Sequence, residues 1–101
     1  MELKISTDYE ELANTWQYQL ITLLKAKMEL FDVEEEKAKE IIGEFVFDLA
    51  ILHDQGEISV NGNVFNPRIC FDDFAGNLIA SDEQTNLHEF AFASTGEAFG
   101  D

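Results

Sequence analysis

Residues 7–55 form two consecutive stretches whose apolar side chains recur at helical spacing, and this pattern constrains the fold more than any other feature of the chain. The first stretch can begin at Thr7 or Asp8, because each is followed three residues later by a glutamate, the spacing of a capping box. The rest of this stretch lacks glycine and proline, which predicts an amphipathic helix of about 23 residues. Its predicted core face consists of Leu12, Trp16, Leu20, Leu23, Leu24 and Phe31.

The second stretch begins at Asp32, which can cap a helix because Glu35 follows three residues later. We predict that this helix runs to Gln55 and that Gly56 ends it in the C′ position. The short connection between the two stretches predicts a helical hairpin. The predicted core face of the second helix consists of Ala38, Ile41, Ile42, Phe45, Leu49 and Leu52.

After Gly56 the pattern changes to short apolar segments that are separated by turn residues. Asn61-Gly62 is the preferred pair for a type I′ turn, because both central residues of that turn need a positive φ. The alternation of His88, Phe90 and Phe92 predicts a last strand, although the preceding residues 81–84 also fit the start of a helix. The predicted strands are Glu57–Val60, Asn63–Phe65, Arg68–Asp72, Leu78–Ala80 and Leu87–Ala93.

These elements predict a single α+β domain over residues 1–93, in which an N-terminal helical hairpin of two long helices is followed by a small antiparallel β-meander. Residues 94–101 combine glycines, hydroxyl side chains and acids around Phe99. That composition predicts a mobile C-terminal tail.

Acidic residues dominate the charge of the chain, which has 21 Asp and Glu against 6 Lys and Arg and a net charge of −15. DNA, RNA and anionic membranes are polyanions and repel such a protein, so we expect none of them to be a direct partner. The N-terminal residues do not resemble a secretory signal, and no apolar run is long enough to span a membrane. The single cysteine, Cys70, has no partner for an intrachain disulfide and is expected to be buried between Ile69 and Phe71. We therefore expect a cytoplasmic protein.

The second helix carries a row of carboxylates at successive i,i+4 positions, namely Glu36, Glu40, Glu44 and Asp48. The row is about 18 Å long, and its three like-charged pairs destabilise the helix by about 1 kcal/mol. Phe47 and Ile51 project within the same arc, which gives apolar anchors surrounded by charge, the composition of a protein-binding surface. The alternative explanation is that the acids simply face water and that the strands cover the two apolar residues.

We expect no catalytic residue, cofactor or metal ion. His53 and His88 lack the paired spacing of zinc ligands, and Asp72-Asp73 does not continue as a calcium-binding loop. Cys70 could pair with a histidine as a nucleophile, but an apolar strand disfavours the thiolate.

The composition therefore favours a non-enzymatic acidic protein-binding module. We expect an inhibitor or immunity-type protein that occupies a basic, nucleic-acid-binding surface of a partner such as a nuclease, in the manner of a nucleic-acid mimic and typical of a phage or mobile element. The alternative is a structural module that forms a homodimer through Phe47 and Ile51, with Tyr18 and Ile21. The predicted partner-binding residues are Glu36, Glu40, Glu44, Phe47, Asp48 and Ile51.

Overall fold

Two long helices dominate the fold, as predicted. The computed structural model describes all 101 residues, with α1 at Tyr9–Leu30 and α2 at Glu35–Gln55. The helices run antiparallel, because Ala13 of α1 packs in one cluster with Ala50 of α2, and Ile21 packs in another with Ile42. The predicted α+β class is confirmed: a helical hairpin is followed by small antiparallel strands.

The ends of the helices differ in part from the prediction. Asp8 is the N-cap residue of α1, but α2 begins after Glu34 instead of Asp32. Asp32 adopts a φ of +56°, the left-handed conformation that aspartate tolerates in turns. Gly56 ends α2 in an extended conformation, and a Cβ there would lie 2.6 Å from the backbone of Leu52. Close packing, and not a positive φ, therefore requires glycine at this position.

The predicted β-hairpin is present, with β2 at Ile58–Val60 and β3 at Asn63–Phe65. Asn61 and Gly62 have φ values of +51° and +82°, as the type I′ turn requires. Every residue of the two strands is exposed, so this hairpin projects from the body of the protein.

A second sheet contains β4 (Phe71–Asp72) and β5 (Asn77–Ala80), which are antiparallel, and a strand that the sequence did not indicate. This strand precedes α1 in the chain and covers Glu2–Ile5; it pairs with β5 in parallel, and we call it β1. The five strands thus form two separate small sheets.

The prediction of a last strand over Leu87–Ala93 is wrong. Leu87–Phe90 form a 3₁₀ helix that continues into α3, Ala91–Ala98. Leu87, Ala91 and Thr95 are buried at i,i+4 spacing, so small residues on a helical period outweigh the alternating phenylalanines. Part of the expected mobile tail, residues 94–98, therefore lies in a helix; the mobility of residues 94–101 stays a prediction.

Half of the residues predicted for the core faces of α1 and α2 are exposed, whereas Ala38 and Ile42 are buried as predicted. The residues that pack between the helices and against α3 lie one step further round each helix and include several small side chains. The exposed residues of the predicted faces are Leu12, Leu23, Phe31, Ile41, Phe45 and Leu52. No helix combines the length and the apolar character that crossing a membrane requires.

Alanine substitution of two adjacent isoleucines of α2 tests which side of the helix is buried. Ile42 is completely buried and Ile41 is 41 % exposed, although the sequence assigned both to the core. We expect Ile42→Ala to lower the free energy of unfolding by about 2–4 kcal/mol, because it leaves a cavity between helices. Ile41→Ala should cost less than about 1 kcal/mol in urea denaturation at low protein concentration. Equal losses for the two variants would contradict this assignment.

Candidate functional site

The acidic row of α2 borders a shallow groove between α2 and α3, which we call the acidic groove. Its lining comes from both helices and consists of Glu36, Lys39, Glu40, Glu44, Phe92 and Thr95. The three glutamates are exposed, so their carboxylates are available to a partner. Phe92 of α3 is about half exposed and supplies apolar surface beside them.

Gly43 allows Phe92 to lie against α2. A Cβ at this position would lie only 3.0 Å from two ring carbons of Phe92, tighter than side chains normally pack. The Phe92 ring in turn stacks on Phe47, with a distance of 5.4 Å between ring centroids and an angle of 29° between the planes. Glycine in the middle of a helix lowers helix stability, but here it leaves the space in which the aromatic side chain of the groove packs against α2.

The carboxylates of the row have no cationic partner within the chain. The one cation in the groove, Lys39, forms an ion pair with Asp101 at the C-terminus. Glu36, Glu40, Glu44 and Asp48 take part in no ion pair of the structure. The groove therefore retains its negative charge.

The structure gathers only part of the predicted partner-binding set. Glu36, Glu40 and Glu44 line the groove, whereas Asp48 is exposed but lies outside it. Phe47 is half-buried beneath Phe92 and His88, and Ile51 is also half-buried. The sequence analysis missed Phe92, because its segment was assigned to a strand. The helical spacing of Leu87, Ala91 and Thr95 was the signal that could have placed Phe92 on a helix.

A buried polar network attaches the C-terminal segment to the helical hairpin. Asp54, at the end of α2, is 2 % exposed. It accepts hydrogen bonds from the Thr85 hydroxyl (2.5 Å), the His88 backbone N–H (2.8 Å) and, through Oδ2, the His88 ring at Nδ1 (2.6 Å). His53 joins the same network, since its Nδ1 lies 3.3 Å from Asp54 Oδ1 and its Nε2 lies 3.1 Å from the Tyr9 hydroxyl.

The direction of the hydrogen bonds determines where protons sit in this network. The Tyr9 hydroxyl donates to the carbonyl of Ile69 at 2.6 Å, so its oxygen must accept from His53 Nε2–H. Burial, with a smaller contribution from Cys70, raises the pKa of Tyr9 to about 12, so the phenol keeps its proton at neutral pH. The network therefore connects α1, α2 and the loop before β4.

Asp54 remains ionised in spite of its burial. Burial alone would raise the pKa of this carboxyl, but the hydrogen bonds from Thr85 and His88 outweigh it and hold the pKa below the ordinary value of 3.8. The sequence showed the two histidines and gave no sign that Asp54 joins them. The structure contains no group of three or more His, Cys, Asp or Glu side chains placed to hold a metal ion.

The structure corrects the placement of Cys70. The side chain was expected to be buried, but it is exposed just before β4. The strand here covers only Phe71 and Asp72, and the apolar neighbours on which the expectation rested, Ile69 and Phe71, are partly buried without enclosing Cys70.

No protein-family model matches the chain, and no curated protein or solved structure matches it.

Replacement of Asp54 tests the network. Asp54→Asn keeps the shape of the side chain but puts an amide N–H₂ among groups that donate hydrogen bonds, so we expect a loss of about 2–4 kcal/mol in the free energy of unfolding at pH 6. Because the folded-state pKa of Asp54 is lowered, its contribution is complete above 3.8 and is lost as the pH falls through the folded value. The stability difference between wild type and variant should therefore begin to narrow below about pH 5 and should keep narrowing as the pH falls below 3.8 in chemical denaturation. A difference that stays constant over this range would show that the charge of Asp54 is not what stabilises the fold.

Proposed function

We propose that the chain is a non-enzymatic acidic protein-binding module whose acidic groove docks onto a basic surface of a partner protein. The observation that carries this proposal is the groove itself, in which Glu36, Glu40 and Glu44 flank an exposed phenylalanine and form no ion pair, since the one lysine of the groove pairs with Asp101. Isolated carboxylates on a surface contribute little binding free energy. A phenylalanine surrounded by carboxylates offers a basic partner both an apolar anchor and charge complementarity.

The spacing of the carboxylates favours a partner that ordinarily binds nucleic acid. Residues four apart on a helix are separated by about 6 Å along its axis, a step comparable to that between successive phosphates of one strand. A surface of lysines and arginines that binds successive phosphates can therefore form ion pairs with successive glutamates of the row. An inhibitor or immunity-type protein of the cytoplasm, as encoded by phages and mobile elements, is the role that this chemistry supports best.

Charge reversal in the groove tests the proposal in affinity capture from the native host. We expect Glu40→Lys with Glu44→Lys to weaken the captured complex by about 100-fold or more, because each reversal replaces an attraction by a repulsion. Glu29→Lys with Asp82→Lys makes the same change of charge at two exposed acids outside the groove and should leave binding within a few-fold of wild type. Circular dichroism checks that all variants fold.

The captured protein has to meet two further conditions. Double-stranded DNA or RNA should release it from the wild-type chain by competition, and salt should weaken the complex between about 50 and about 300 mM. Equal loss of binding in both double variants would indicate general charge attraction, and a complex that survives the groove reversal would refute the proposed surface.

A further inference from the structure

The side of the α1–α2 hairpin that is not covered by α3 carries two rows of side chains at heptad spacing. Successive members of each row are separated by alternating steps of four and three residues, the spacing of helices that pack side by side in coiled coils. The row on α1 is Leu12, Trp16, Gln19, Leu23, Ala26 and Leu30. The row on α2 is Ile41, Phe45, Asp48 and Leu52. We call the two rows together the heptad face.

The two rows adjoin each other on one side of the hairpin. Trp16 of α1 lines a small cleft together with Leu49 and Leu52 of α2, which places the two rows next to each other. The segment after β3 borders the same cleft through Pro67, Arg68 and Ile69, so this end of the two rows is partly covered by the chain itself. The opposite side of the hairpin is covered, because Ile21 and Ile42 pack in one cluster with Ala91 of α3. The heptad face therefore has no cover from its own chain along most of its length.

Large apolar side chains on this face are exposed to an extent that a core position does not allow. Leu23 is 61 % exposed, Leu30 65 % and Phe45 50 %. The whole chain exposes 6906 Å², whereas a compact monomer of 11.5 kDa exposes about 5,800 Å². The surplus of about 1,100 Å² includes the projecting β2–β3 hairpin and the exposed strand β1 as well as this face, and one partner of a stable interface buries about 800 Å².

The distribution of charge around the heptad face indicates which kind of partner can cover it. Residues 12–24, which supply most of the α1 row, contain no charged side chain, although the chain carries a net charge of −15. A basic partner would find carboxylates along the α2 edge, at Asp48 and the acidic row, but neutral residues such as Thr15 and Thr22 along the middle of the α1 edge, where Glu11 and Glu29 stand only at the two ends. Two copies of such an acidic chain, by contrast, can approach each other only through a surface with few carboxylates.

We propose that a second copy of this chain covers the heptad face, so that the two hairpins form a four-helix dimer around a two-fold axis. The uncharged α1 row lies at the interface, and the acidic groove of each copy stays on the outer side of α2. This arrangement does not depend on the identity of any partner for the acidic groove.

The unmodified protein provides the first test. Light scattering coupled to size exclusion should give about 23 kDa, twice the 11.5 kDa of one chain, at high protein concentration. Trp16 is the only tryptophan and belongs to the heptad face, so its emission should shift to longer wavelength when the dimer dissociates on dilution from about 200 to about 1 µM. Raising the salt concentration should strengthen the dimer, since it screens the repulsion between two negatively charged chains. A mass of one chain throughout this range overturns the proposal.

Substitutions on and off the face provide the second test. We expect Leu23→Glu to raise the dissociation constant of the dimer at least about 30-fold, because it buries two carboxylates at the interface. Phe74→Glu is the matched control: Phe74 is 95 % exposed in the turn between β4 and β5, far in sequence from both rows. Both positions are exposed in the single chain, so circular dichroism should show unchanged helix content. A dimer that withstands Leu23→Glu, or that Phe74→Glu weakens equally, would falsify the assignment of this face.

Discussion

The buried carboxylate of Asp54 is the interaction on which the arrangement of this protein depends. It accepts hydrogen bonds from Thr85 and His88, both of which belong to the segment that follows β5. The chain carries many acidic side chains that repel each other. A single ionised acid that is fully paired with hydrogen-bond donors therefore contributes disproportionately to the stability of the fold. Without it, the 3₁₀ helix would lose its polar attachment to α2, and α3, which continues from it, would be held to α2 mainly by the apolar cluster around Ile42 and Ala91. The network thus supports the segment that carries Phe92 to the acidic groove.

The sequence was sufficient for features that depend on local chemistry. Helical periodicity predicted both long helices, and Asn61-Gly62 predicted the type I′ hairpin, because the positive φ values of that turn restrict the residues allowed there. The i,i+4 spacing predicted that Glu36, Glu40 and Glu44 share one side of a helix, and they line one groove. Features that depend on distant partners were not predictable. The strand β1 exists because it pairs with β5, more than seventy residues away, and Leu87–Phe90 form a 3₁₀ helix whose His88 N–H binds Asp54.

The choice of core face is the most informative of these errors. Periodicity correctly found a wide apolar arc on each helix, but hydrophobicity alone selected the larger side chains as the core. In the structure the helices approach each other through Ala13, Ala50 and Val46, and the cover from α3 is provided by Ala91. Small residues allow helices to pack closely, so together with Ile21 and Ile42 they form the interior of a thin three-helix layer, and several leucines and phenylalanines stay exposed. An amphipathic pattern states how much of a helix is to be buried, but not whether its own chain or another one buries it.

The two surfaces lie on different sides of α2, and this separation has a physical consequence. Around the helix axis, Glu36 and Glu40 are about a third of a turn or more from the middle of the α2 heptad row, whereas Glu44 is only about a fifth of a turn from it. Most of the groove can therefore be occupied while the heptad face is free. Salt has opposite effects on binding at the two surfaces. Screening weakens the attraction between the acidic groove and a basic partner, but it reduces the repulsion between two acidic copies of the chain. A dimer would also present two acidic grooves, and a partner that is itself dimeric or has repeated basic sites would then bind with the added advantage of a high effective concentration. The excess of negative charge, which opposes self-association, is thus compatible with a dimer as long as the contact is made through the uncharged length of α1.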